Sequence, residues 1–299
     1  MYRLGLSATP SRYFDDEGSK FIIDYFGGTV YSFDLKRAIN EINPETGKSY
    51  LTPYEYYPLF VELSDEEYEK YELFSKKISR QYAISKNKKD KDELLQRLLE
   101  KRQKIIVDCP AKYEAFNKIL DTIKKDLNYC LVYCSDVQIN ETQNILKRRL
   151  ITNHRFTGDE GIKPNKKYGG KSERQFILDQ FGEKNPTFQI LVAMKCLDEG
   201  VDVPAARTAV ILASSGNPKQ YIQRRGRILR RSPGKDKAVI YDILVLPPAK
   251  KMSEFDDMEL EKKILRKELA RYEEFAKISL NFTEALNIIF PIKRRYGIL

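Results

Sequence analysis

Between Lys112 and Leu244, strand-sized apolar runs alternate with segments of helical period. This alternation constrains the fold more than any other feature. Strands are expected at 129–134, 154–157, 188–194, 208–213 and 238–244, and helices at 112–125, 136–150, 172–181 and 218–230. Strands separated by helices need crossover connections, so the expected architecture is α/β, a parallel sheet with helices on both faces and right-handed crossovers. No apolar run approaches the ~18 residues of a membrane helix, which excludes a membrane partner of that kind. The N-terminus, MYRLGLSATPSR, has no basic region followed by an apolar stretch. A cytoplasmic location is therefore expected.

The flanks read differently. Ser64, followed three residues later by Glu67, has the form of a capping box. It predicts a helix start there, with Tyr71, Phe74, Ile78 and Tyr82 on one face. A second helix through Leu94, Leu98 and Ile105 completes a hairpin or arm. After Pro247-Pro248 the chain turns helical again, with Leu265, Leu269, Tyr272 and Ala276 on one stripe. The first 57 residues read as pieces of a mixed α/β domain, too short to bury a sheet alone. Four units follow: 1–57, the end of an upstream domain; 58–110, a helical arm; 111–246, a complete α/β domain; and 247–299, a helical extension.

Lys plus Arg total 53 against 43 Asp plus Glu, a net charge of +10 that favours a polyanionic partner such as nucleic acid. The densest charge run, 86–104, mixes signs and reads as a solvated helix face. Four cysteines and the single histidine, His154, lack the paired spacing of a zinc site, and no metal site is expected. Cys130 and Cys134 share one face of a strand and read as buried hydrophobes. Asn281-Phe282-Thr283 has the form of a glycosylation sequon and reads as a chance match.

Three elements carry the chemistry, in a fixed order: Ser7-Ala8-Thr9-Pro10 at a strand end, ILVAMKCLDEGVDVP at 190–204, and QYIQRRGRILR at 220–230. Together they resemble motifs III, V and VI of superfamily 2 helicases and translocases, closest to the branch of restriction-enzyme motor subunits and excision-repair helicases. The resemblance extends to Leu244 and implies a RecA-like parallel sheet. It also implies that Arg227 and Arg230 are arginine fingers, with Gln223 a partner of the γ-phosphate or the attacking water. Guanidinium groups suit that task because they cannot be deprotonated and match phosphate oxygens in a planar fork. Three residues apart, the two arginines share a helix face. Gly226 costs a helix ~1 kcal/mol, and close approach of another backbone is the expected reason for it.

The resemblance further implies that Gly200 shapes the turn before Asp202, which accepts from ribose hydroxyls, and that Ser7, Ala8 and Thr9 couple nucleotide to domain movement. Nucleic acid is expected at Thr157 and Gly158, which resemble motif IVa, with Ser135 a weaker candidate. Met194 stands where many relatives have threonine, which leaves Lys195 or backbone amides to make that contact. The cofactors implied are ATP and Mg2+, and the branch favours DNA over RNA.

A P-loop, G-x-x-x-x-G-K-[ST], is nowhere in the chain. Gly47-Lys48-Ser49 and Gly170-Lys171-Ser172 come near but lack the first glycine. No acidic pair for magnesium precedes the SATP segment. The expectation is therefore the C-terminal half of an ATP-dependent DNA motor, inactive alone. The first RecA-like domain, in cis or on a separate chain, would supply the phosphate cradle and the magnesium ligands. The alternative is a non-catalytic module, derived from a helicase, that binds nucleic acid or a partner.

Overall fold

Residues 3–7, 16–85, 93–194, 202–213, 226–248 and 258–298 are described by the computed structural model. In chain order the elements are α1 (Asp16–Tyr25), α2 (Leu35–Asn40), β1 (Ile42–Asn43), β2 (Lys48–Ser49), β3 (Tyr54–Glu62), α3 (Asp65–Ser85), α4 (Glu93–Val107), α5 (Ala111–Thr122), β4 (Cys130–Tyr133), α6 (Gln138–Arg148), β5 (Asn153–Phe156), α7 (Glu173–Gly182), β6 (Ile190–Ala193), β7 (Thr208–Ile211), β8 (Ala238–Leu246), α8 (Met258–Ile278) and α9 (Phe282–Arg295). Six strands form one sheet in the order β3-β8-β7-β4-β6-β5, and every pairing is parallel.

The sheet is covered on both faces at its centre, where β4, β6 and β7 are buried at every position, and the period of two divides their side chains between two cores. Leu131, Tyr133, Leu191, Ala193, Ala209 and Ile211 face one way, against α7, α8 and α9. Cys130, Val132, Cys134, Ile190, Val192 and Val210 face the other, against Phe116, Ile119 and Leu120 of α5 and Ile145 and Leu146 of α6. Cys130 and Cys134 are thus buried free thiols in one core, as their spacing predicts. Burial pushes the Cys130 thiol up to about 12.

One strand comes from outside the expected domain. Residues 54–62 pair with β8 along nine residues, from Tyr54 opposite Ala238 to Glu62 opposite Leu246. The expected boundary at 57/58 falls inside this strand. Its alternation explains why: Tyr54 and Tyr56 enter the core with α8 and α9, while Tyr57, Leu59 and Val61 pack on the opposite face. The free edge of β3 is covered by the α8–α9 corner. Asn281 accepts from Tyr56 N (2.8 Å) and donates to Tyr56 O (3.1 Å), while Leu280 N donates to Tyr54 O (2.8 Å). A side-chain amide here replaces a neighbouring strand, which blunts an exposed edge. The formal sequon asparagine therefore has a structural task.

The C-terminal stripe is buried as expected, with Leu265 7%, Leu269 0%, Tyr272 0% and Ala276 0% exposed. Helices α8 and α9 are part of the main core. The capping box also forms: Ser64 N donates to Glu67 Oε2 (2.8 Å) and Glu67 N to Ser64 Oγ (3.3 Å). The arm that follows buries Tyr68, Tyr71 and Ile78 of α3, whereas Tyr82 is exposed. No helix among the described residues is long and apolar enough to cross a membrane.

Candidate functional site

Because all six strands are parallel, their amino ends lie along one side of the sheet and their carboxyl ends along the other. Asp202 precedes β7, Arg227 and Arg230 precede β8, and Ser49 and Thr52 precede β3; these are three adjacent strands. Ser135 follows β4, and Thr157 and Gly158 follow β5. Asp202, Arg227 and Arg230 therefore lie at the opposite end of the sheet from Ser135, Thr157 and Gly158.

At the amino ends, Arg230 Nη1 and Asp202 Oδ2 form an ion pair. The two side chains are 50% and 40% exposed, so the pair is screened and contributes little to stability. Asp202 Oδ1 is buried with no partner among the described residues. A groove of about 680 Å³ beside Asp202 is lined by Gln175, Leu178, Glu183, Val203, Pro204 and Ser232.

Arg227 is half-buried and lies in the last described helical turn, at 226–228. Arg230 lies beyond that turn, joined to it by Arg230 N donating to Arg227 O (3.4 Å). The helix expected to reach Arg230 thus ends earlier, because tertiary donors take its carbonyls. Thr52 N donates to Leu229 O (2.7 Å) and Thr52 Oγ1 to Arg230 O (3.3 Å). Lys235 Nζ donates to Ile228 O, to Arg230 O (3.0 Å) and to Pro204 O (3.3 Å). Arg231 donates from Nε to Ser49 O (2.9 Å) and from Nη2 to Ser49 Oγ.

Lys235 is 2% exposed, and one ammonium ties the segment carrying Asp202 to the segment carrying Arg230. Burial lowers its pKa to about 8, with Arg207 and Arg231 pushing the same way and Asp202 opposing them. Sequence reasoning missed this residue, since it stands in the run PGKDK, which has the composition of a surface turn. The reason expected for Gly226 is not found. A Cβ there would meet nothing within 4 Å among the described residues, so no described backbone approaches it closely.

At the carboxyl ends, Ser135 is 9% exposed and its hydroxyl is committed within the chain. It donates to Asp108 Oδ1 (2.6 Å) and accepts from Gln138 N (3.3 Å), while Ser135 N donates to Gln138 Oε1 (3.0 Å). The reciprocal bonds have the S-x-x-Q form of a capping box, in the turn that leads into α6. Beside it, Lys112 Nζ donates to Val107 O (2.8 Å) and Leu212 O (2.7 Å), and burial lowers its pKa to about 8.

Thr157 is 4% exposed, its amide donating to Glu160 Oε2 (2.7 Å) and its hydroxyl lying 3.2 Å from Glu160 Oε1. Gly158 is exposed, with open space where a Cβ would be. Arg174 of α7 holds this turn from behind, donating from Nη2 to Gly158 O (3.1 Å) and from Nε to Glu160 O (3.2 Å). The Met194 amide is occupied, donating to Phe156 O (3.1 Å). Ser7 is exposed. Ala8, Thr9, Lys195, Gly200 and Gln223 lie outside the described residues.

Neither near-match to a P-loop has P-loop surroundings. Lys48 and Ser49 form a strand of a two-stranded hairpin, and Ser172 caps α7 by accepting from Gln175 N (3.2 Å). Among the described residues no group of three or more His, Cys, Asp or Glu side chains could hold a metal ion.

The family model described as helicase conserved C-terminal domain matches residues 90–232. A DNA 3'-5' translocase XPB2 from Sulfurisphaera tokodaii is 30% identical over 257 residues, 80% of this chain and 51% of that protein. A putative helicase 22 from a Sulfolobus islandicus filamentous virus is 38% identical over 61 residues, 20% of this chain and 11% of that protein. The chain thus spans about half the length of the first relative and far less of the second. The C-terminal part of the Fun30 ATPase domain gives a TM-score of 0.47 at 16% identity, covering 72% of this chain and 89% of that one. The Sulfolobus solfataricus SWI2/SNF2 ATPase core in complex with dsDNA gives 0.46 at 14% identity, covering 67% and 43%. With Asp202 and Arg230 brought to the amino ends of adjacent strands of a parallel α/β sheet, and with the family model matching residues 90–232, the chain carries a helicase C-terminal domain.

Proposed function

We propose that this chain is the C-terminal half of an ATP-dependent DNA translocase or helicase, whose P-loop domain lies upstream or on a separate chain. The observation that carries the reading is the Arg230–Asp202 pair at the amino ends of adjacent strands, with Lys235 bracing both segments from beneath. Its donor set fits a nucleotide. Arg230 uses only Nη1 among the described residues, which leaves Nε and Nη2 to meet phosphate oxygens, and the unpartnered Asp202 Oδ1 suits a ribose hydroxyl. ATP supplies the phosphoanhydride whose cleavage drives movement.

Within this chain the work is electrostatic and positional. Arg227 and Arg230 stabilise developing charge, Gln223 orients water, and Gly200 with Asp202 holds the sugar. The P-loop domain provides the phosphate cradle and the magnesium ligands. Ser7, Ala8 and Thr9 carry domain movement to the nucleic acid, which runs along the opposite end of the sheet past the exposed Gly158, in a turn that Thr157 holds in place through Glu160. Lys195 adds charge there, and Ser135 shapes the floor. Large apolar side chains exposed before β3, among them Leu4 at 79%, Leu6 at 89%, Phe21 at 72% and Val30 at 89%, support a covering domain on that side.

The test is ATPase activity of this chain joined to its P-loop domain, with single-stranded DNA, duplex DNA and RNA in turn. DNA-stimulated turnover lost in Arg230→Ala is the expected result. DNA binding without turnover, or turnover indifferent to Arg230→Ala, would make the chain a binding module instead.

A further inference from the structure

Between β5 and α7 the chain makes a loop, 161–172, that the nucleotide and nucleic-acid candidates leave unused. It contains Lys163, Lys166, Lys167 and Lys171 and no carboxylate. The loop is exposed yet well braced. Asn165 N donates to Lys171 O (3.0 Å) and Gly170 N to Asn165 O (3.1 Å), closing a ring around a short 3₁₀ turn at Lys166–Tyr168. Asn165 Oδ1 accepts from Lys167 N (2.9 Å), which caps that turn. Gly169 and Gly170 close the ring with φ of 65° and 82°, a region where a side chain would be strained.

The loop is also anchored to the domain. Glu173 accepts from Gly161 N (3.0 Å) and from the Tyr168 hydroxyl (2.7 Å), and the Tyr168 ring packs on Phe176 with centroids 5.3 Å apart.

The charge of the loop is not neutralised at home. Lys171 pairs with Asp179 at 2.6 Å. Lys163, Lys166 and Lys167 have no carboxylate within ion-pair distance among the described residues, and the nearest acids are engaged. Glu160 binds Thr157, Glu173 binds the loop backbone, and Asp159 Oδ2 lies 3.3 Å from the Thr157 hydroxyl. The loop leaves the carboxyl end of β5 through Thr157 and Gly158, and Arg174 ties Gly158 to the helix that the loop enters.

We propose that loop 161–172 is a second nucleic-acid contact, a braced lysine ridge that meets phosphates beside Gly158. Three ammonium groups, Lys166 and Lys167 on the closed backbone ring and Lys163 just before it, offer point charges to a phosphate chain at little cost in loop ordering. The proposal rests on the nucleic-acid reading above and adds to it a named set of contacts.

The experiment measures binding of the chain to a short fluorescent duplex over a salt series, alongside K163A/K166A/K167A, Lys171→Ala and Thr157→Val, each checked by thermal melting. Each phosphate contact contributes ~0.9 to the slope of log K against log salt. The triple variant should therefore lower the slope by ~2.7 and weaken binding at moderate salt by tenfold or more, with an unchanged melt. Lys171→Ala, already paired, should change the slope little. If the triple variant keeps the wild-type slope while Thr157→Val weakens binding, the ridge is refuted and the nucleic-acid reading stands. If the unaltered chain shows no salt-dependent binding, both fall. Tighter binding of polyglutamate than of DNA would make the loop a protein contact and would also overturn the proposal.

Discussion

Replacing Lys235 by Met keeps a stem of similar length and removes the ammonium that three backbone carbonyls share. Pro204 O and Ile228 O then lose the donor described for them, while Arg230 O keeps Thr52 Oγ1 at 3.3 Å. Hydrogen bonds to a charged group are worth ~1.5–3 kcal/mol each. Against them stands the cost of burying the ammonium, ~3 kcal/mol for a pKa lowered from 10.5 to about 8. The bonds exceed the burial cost, so Lys235→Met should destabilise the chain by ~2–4 kcal/mol at neutral pH.

The sign of the pH dependence follows from linkage. Between about pH 8 and pH 10 the unfolded chain still holds the proton that folded Lys235 has released. The lysine's contribution to stability therefore rises with pH across that window. The Met variant has no such term, so the gap should widen by up to ~3 kcal/mol. Urea unfolding followed by circular dichroism, at neutral pH and near pH 10, measures both quantities. A loss below ~0.5 kcal/mol at neutral pH, or a gap that narrows as pH rises, would refute the clasp between Asp202 and Arg230.

Other outcomes follow from the same contacts. Asn281→Ala should cost ~2–3 kcal/mol, because it leaves both Tyr56 backbone groups unpaired at the edge of β3. Hydrogen exchange at the Tyr56 amide should rise with it, and a protected amide would contradict the edge-capping account. Above about pH 10 the whole chain should lose stability, since burial pushes Tyr241 and Tyr296 up to about 12 and the unfolded chain loses those protons first. Base titration of folded chain by tyrosinate absorbance checks this, and ionisation of these two near pH 10 would disprove it. In the motor proposed above, joined to its P-loop domain, Arg230→Ala and Arg230→Lys should both lower kcat by ~10³ with little change in ATP affinity. Full activity in the lysine variant would show that the planar fork is not what the site uses.

The sequence alone determined five of the six strands of the sheet. Strand-sized apolar runs at 130–133, 190–193 and 208–211 have no polar face, and only a sheet covered on both sides can bury them. The likeness to a helicase C-terminal domain was legible because runs such as DEGVDVP and QRRGRILR are improbable by chance. The capping box at Ser64 was equally legible, because its donors and acceptors lie within four residues. What tertiary structure decided was everything that depends on partners distant in the chain. Residues 54–62 join the sheet because Ala238–Leu246 offers a free edge 184 positions away at either end.

The turn at Arg230 ends where it does because Thr52 and Lys235 take carbonyls that a longer helix would have used. Lys235 and Lys112 have the composition of surface charge, and only packing shows that their ammonium groups lie inside, on backbone carbonyls. Ser135 has the residue type of a phosphate contact, yet its hydroxyl is used by Asp108, 27 positions earlier. Local patterns record propensity and periodicity; a hydrogen bond between distant segments leaves no periodic trace in either of them.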